Sequence, residues 1–115
     1  MTLREKQSCF ARLVAKLLLE AETMGYSVTL GEAYRSQEEA LRQFGVGRGI
    51  ACSLHTDRLA IDLNLFLDGV WLTRTEDHRQ LGEWWERQST DDLICCWGGR
   101  FGDGNHYSLE HKGRR

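Results

Sequence analysis

Two short stretches of this 115-residue chain concentrate side chains able to bind a metal or move a proton. The first runs Ser53-Leu54-His55-Thr56-Asp57-Arg58-Leu59-Ala60-Ile61-Asp62-Leu63. Asp62 stands among isoleucine, leucine and phenylalanine, where a carboxylate is costly unless it is paired or bound to a metal. Ala60 shares its side of the strand and leaves room beside it. His55 lies seven residues upstream, where a turn can bring its imidazole over Asp62. By itself the segment also fits an edge strand whose Asp62 face is solvated. The second stretch runs Trp97-Gly98-Gly99-Arg100-Phe101-Gly102-Asp103-Gly104-Asn105-His106. Its glycines allow close backbone approach and aim side chains. Asp103 and His106, three apart, can serve one site. By itself this stretch also fits a glycine-rich surface turn.

Together the stretches carry more. His55, Asp62 and His106 make a donor set that holds zinc with one coordination position open, as catalytic zinc requires. Asp103 is then left as a general base for a water whose pKa the metal lowers to roughly 7. No HExxH helix is present, so this is not the common metalloprotease pattern. A bare His/Asp/His set also arises without any metal, and the residues alone leave that alternative open.

The elements that must position these residues follow from periodicity. Leu3, Phe10, Leu13, Val14, Leu17, Leu18, Ala21 and Met24 form the apolar stripe of a helix capped by Thr2 and ended by Gly25. Ser27 to Leu30 reads as a strand, and Ser36 with Glu39 opens a second helix running to about Phe44. Gly45, Gly47 and Gly49 form a loop without the Lys-Ser/Thr ending of a phosphate cradle. Leu59 to Phe66 alternates strictly, with Leu59, Ile61, Leu63 and Leu65 on one face and Ala60, Asp62, Asn64 and Phe66 on the other. Asp68-Gly69 signals a hairpin returning through Val70 to Leu72. Thr75 is expected to cap a third helix through about Arg87, Ile94 to Trp97 forms the last strand, and the tail after Tyr107 is polar. The pattern predicts one small α+β domain, residues 1–115, with about three helices and a short, mainly antiparallel sheet.

Composition excludes several classes. Apolar residues make up 41% and charged residues 28%, which argues against disorder. The net charge of −2 carries no basic footprint for nucleic acid. The longest apolar runs are far too short to span a membrane, and the N-terminal stripe is broken by Arg12, Lys16 and Glu20, unlike a signal peptide. Synthesis in the cytoplasm is therefore expected, and the chain is read as a monomer. The cysteines (9, 52, 95 and 96) have neither CxxC nor zinc-finger spacing and read as buried small hydrophobes.

Ser53-x-His55-x4-Ala60-x-Asp62 resembles the first zinc motif of the VanY-like peptidoglycan peptidases, and Trp97-Gly98-Gly99-x-Phe101 with Asp103-x-x-His106 is similar to their second. Glu32-Ala33-Tyr34-Arg35-Ser36 looks like the family's upstream segment, in which an arginine faces the substrate. The resemblance covers about Tyr26 to His106. It implies a Hedgehog/DD-peptidase-like fold, zinc held by His55, Asp62 and His106, Asp103 as catalytic carboxylate, and Arg35 on the substrate or the developing oxyanion. It also implies a peptidoglycan stem peptide as substrate. Asp103, an aspartate where several relatives have glutamate, resembles the phage endolysin branch that cleaves L-alanyl-D-glutamate. With no visible export signal, such an enzyme would reach the wall after the membrane is breached. Ser108 stands where relatives carry an acid, and Glu110 comes later. A D-alanyl-D-alanine carboxypeptidase of the same family and a non-catalytic zinc-containing wall-binding module are the rival readings. For Arg35 the plainer alternative is an ion pair with Glu38 or Glu39. His78 reads as a surface or packing residue, His111 as part of the tail, and Trp84, Trp85 and Trp97 as core. Trp71 is expected to be partly exposed on its hairpin.

Overall fold

Thr2 opens the first helix, α1 (Leu3–Thr23), by a reciprocal cap: its hydroxyl accepts from the Glu5 N–H while the Glu5 carboxylate accepts from its own. Gly25 ends α1 with φ +95, a conformation that favours glycine. The computed structural model describes residues 1–45 and 53–115. Gly47, Gly49 and Cys52 lie outside the described residues. After α1 come β1 (Ser27–Leu30) and α2 (Gln37–Gly45), the latter capped by Ser36, whose hydroxyl accepts from the Glu39 N–H. A short 3-10 turn, Leu54–Asp57, precedes β2 (Ala60–Leu67). Asp68 and Gly69, at φ +51 and +79, make the two-residue turn into β3 (Val70–Leu72). The chain continues through α3 (Arg79–Arg87), β4 (Cys95–Trp97), a 3-10 turn at Gly98–Phe101, and β5 (His106–Leu109).

The five strands form one antiparallel sheet in the order β1-β2-β5-β4, with β3 paired to the far end of β2. The expected α+β domain is thus observed. The alternation along β2 does what its pattern predicts. Ile61, Leu63 and Leu65, with Leu59 just before the strand, enter a core built with Phe10, Leu17 and Ala21 of α1 and Leu81 and Trp85 of α3. Full burial of each such leucine contributes about 1.5–3 kcal/mol. Trp85 and Trp97 are core residues, and their indole N–H groups are satisfied. Trp85 donates to the Cys96 and Ser108 carbonyls at 3.1 Å, and Trp97 donates to the Gly104 carbonyl at 2.7 Å.

Three expectations need correction. The segment around Tyr107 is not the start of a polar tail: His106–Leu109 is a fully buried strand between β2 and β4. Its lone serine and polar flanks hide it from a periodicity reading. β2 is accordingly an interior strand, which removes the alternative of a solvated edge at Asp62. Finally, Thr75 does not cap α3. Residues Thr75–His78 form a 3-10 turn fastened by the Asp77 carboxylate on the Arg74 N–H, and the Thr75 hydroxyl instead accepts from the Gly104 N–H at 3.3 Å.

Candidate metal centre

His55 sits in the 3-10 turn before β2. Ser53 caps that turn, its hydroxyl accepting from the His55 N–H at 3.2 Å, and Arg58, at φ +57, closes it. Asp62 projects from the non-core face of β2. Gly31, following β1, donates to the Asp62 carbonyl, and the Asp62 N–H donates to the Glu32 carbonyl. A Cβ on Gly31 would lie 2.9 Å from the Asp62 carbonyl oxygen, so only glycine lets the chain run this close beside the carboxylate. His106 is the cross-strand partner of Asp62 on β5, which places both side chains on one face. The Gly98 turn fixes what precedes it. A Cβ there would lie 2.3 Å from the Asp103 carbonyl oxygen and 2.7 Å from the His106 Cβ, and the Gly98 carbonyl accepts from the Asp103 N–H.

These constraints bring the three residues together. Asp62 Oδ1 lies 3.3 Å from His55 Nε2 and 3.4 Å from His106 Nδ1, and the imidazole centroids are 5.3 Å apart. Each residue offers one donor atom, and all three atoms fall within 4.8 Å of one another. Neither approach to Oδ1 has hydrogen-bond geometry, and that buried oxygen has no hydrogen-bond partner among the described residues. A buried carboxylate oxygen left unpaired is expensive, and a shared cation removes the cost. Burial by itself raises the Asp62 carboxyl, while the adjacent imidazoles of His106 and His55 pull it below the usual range. The group is thus a set of two nitrogens and one oxygen able to hold a metal ion.

The centre opens into a cavity of about 250 Å³ that is also lined by Arg35, Phe101 and Asp103. The Asp103 carboxylate is half-exposed and 4.0 Å from His106 Nδ1. Partial burial, with the Asp62 charge adding, holds it above the usual aspartate range against the pull of His106. Arg35 is nearly buried, its N–H donating to the His55 carbonyl. Its guanidinium pairs with the Glu32 carboxylate (Nε to Oε1, 2.7 Å), not with Glu38 or Glu39; Glu39 binds Arg42 instead. Glu32 is the residue that sequence reasoning left without a role. Its Oε1 also lies 3.9 Å from His55 Nδ1, a buried nitrogen with no hydrogen-bond partner among the described residues. Its signals were its place three residues before Arg35 and its position at the head of the Glu32-Ala33-Tyr34-Arg35-Ser36 segment.

No protein-family model matches this chain, and no curated protein matches its sequence. The site therefore stands on its own geometry. His78 and His111 do not join it. His78 is buried with Nδ1 2.7 Å from the Tyr107 hydroxyl, and His111 Nδ1 lies 3.3 Å from Lys6 Nζ. Glu110 accepts from the Gly113 N–H. Cys95 and Cys96 are buried, as expected, and burial raises both thiols; Cys9 is half-buried. No helix among the described residues is long and apolar enough to cross a membrane.

Proposed function

We propose that this chain is a zinc-dependent peptidase that hydrolyses a stem-peptide amide of bacterial peptidoglycan, first of all the L-alanyl–D-glutamate bond. In this reading it serves as a phage or prophage endolysin that reaches the wall after the membrane is breached. One observation carries the reading: three ligand atoms converge in the same cavity that holds a free carboxylate, Asp103, and a guanidinium, Arg35. The motif resemblance supplies the substrate class.

His55 Nε2, Asp62 Oδ1 and His106 Nδ1 would hold the ion. A bound zinc supplies Lewis acidity, polarising a carbonyl and lowering the pKa of a water to roughly 7. The remaining work falls to this chain's own groups. Asp103 accepts the proton of the attacking water at its carboxylate and returns it to the leaving amine. Arg35, steadied by Glu32, presents positive charge to the carbonyl oxygen as negative charge develops there.

Mass spectrometry of purified Gram-negative sacculi, digested with and without a chelator, tests the reading. New fragments beginning at D-glutamate, absent with chelator, are expected. Release of free D-alanine instead would identify the carboxypeptidase. No product from folded, zinc-loaded protein would overturn the enzymatic reading in favour of a binding module.

A further inference from the structure

Trp71 is 57% exposed, on the same face of the sheet as the metal centre. The register shows why. Asp62, Asn64 and Phe66 alternate onto the non-core face of β2; His106 pairs with Asp62, and Trp71 pairs with Phe66. One face of the sheet thus runs from the ligands, past Asn64, to an uncovered indole. A second cavity, of about 310 Å³, lies along this path, lined by Trp71, Asn64, Thr73 and Asn105 and sharing Asp103 with the metal cavity. Thr75 fastens the Gly104 turn that helps line it, and a Cβ on Gly104 would lie 2.5 Å from the Thr75 Cα. Asn64 is held by its amide, which donates to the Thr29 hydroxyl at 3.2 Å.

We propose that this second cavity is a saccharide subsite, in which the indole of Trp71 stacks on the N-acetylmuramoyl ring that carries the stem peptide. The inference rests on the peptidoglycan reading and narrows it. An exposed indole beside side-chain amides and a hydroxyl suits a pyranose, which has an apolar C–H face and a polar rim. Length decides which part of the substrate lies here. Four residues of β2 separate Asp62 from Phe66, the partner of Trp71, which is roughly 13 Å of strand. From the L-alanyl carbonyl to the sugar there are two chain units and half a ring, on the order of 10 Å. From a D-alanyl-D-alanine bond there are at least five units, more than about 16 Å before the ring begins. The shorter spacer nearly covers that distance when extended, whereas the longer one would have to fold back to set the ring there, so the subsite favours cleavage next to the glycan.

The test compares two substrates and one inert probe. The substrates are a disaccharide-linked tetrapeptide and the same tetrapeptide without sugar. The probe is the peptide-free muramyl disaccharide, its binding followed by calorimetry on the zinc-loaded protein. The wild type is expected to favour the sugar-bearing substrate about tenfold in kcat/KM, equivalent to about 1.4 kcal/mol. Trp71→Ala should bring that ratio near one and abolish disaccharide binding, while Trp71→Phe recovers part of both. Zinc content and melting temperature report that the variants fold. If the wild type hydrolyses peptide but shows no sugar preference and no disaccharide binding, the subsite is refuted and the peptidase stands. If disaccharide binding depends on Trp71 while neither substrate is cleaved, the subsite stands and the peptidase falls.

Discussion

Asp62 and His106 are direct cross-strand partners on β2 and β5, with Oδ1 3.4 Å from Nδ1. Forty-four positions apart in the chain, they are neighbours because Tyr107 and Leu109 draw their strand into the core beside Ile61 and Leu59. Hydrophobic pairing on one face thus sets donor spacing on the other.

If the three residues share one ion, His55→Ala and His106→Ala should each abolish stoichiometric zinc, read by elemental analysis after gel filtration. Zinc at a thousand times its Kd should stabilise the wild type by about 4 kcal/mol over the chelated protein. Equal melting with and without chelator would refute the shared site.

Asp103→Asn keeps the size of the side chain and removes its basicity. Activity should fall roughly 10²–10⁴-fold, the usual contribution of a general base, with zinc content unchanged. Retained turnover would remove Asp103 from the proton path.

Glu32 pairs with Arg35, and its Oε1 lies 3.9 Å from Nδ1 at the back of His55, within reach once an ion draws on the imidazole. Glu32→Gln should weaken zinc binding by about 10–100-fold, as loss of a carboxylate behind a ligating histidine does. Competition with a chromophoric chelator measures this. Unaltered affinity would confine Glu32 to steadying Arg35.

Gly98→Ala should lower the melting temperature by roughly 10 °C, since a Cβ there meets the Asp103 carbonyl and His106 and overpacking of this kind takes about 1–3 kcal/mol. An unshifted melting curve would show that the turn yields.

His78 predicts a pH dependence of stability. Burial holds its imidazole at about 4, against 6.5 when unfolded. Between those values the unfolded chain binds a proton that the folded chain does not. Stability should therefore be full above pH 6.5 and decline as pH falls toward 4, by up to about 3 kcal/mol. Urea titrations of metal-free protein should show a shallower decline in His78→Gln. Parallel curves would assign the dependence elsewhere.

Much of this was legible in the residues. The stripe of α1, its Thr2 cap, the alternation of β2 and the Asp68-Gly69 turn are local signals, written in periods of 3.6 and 2 and in the backbone freedom of single residues. The candidate ligands were legible too, because a carboxylate in an apolar strand and a histidine after a glycine-rich turn are anomalies of composition. Tertiary structure decided the rest. It made His106–Leu109 a buried strand despite its polar flanks, because pairing on both sides satisfies the backbone that its sequence leaves unadvertised. It gave Arg35 to Glu32 rather than Glu38 or Glu39, since the extended chain before α2 lies against His55 and Asp62. It also set Trp71 on the face of the metal centre. Side-chain type and period are properties of neighbours in sequence, whereas distances between strands follow from which apolar faces share a core.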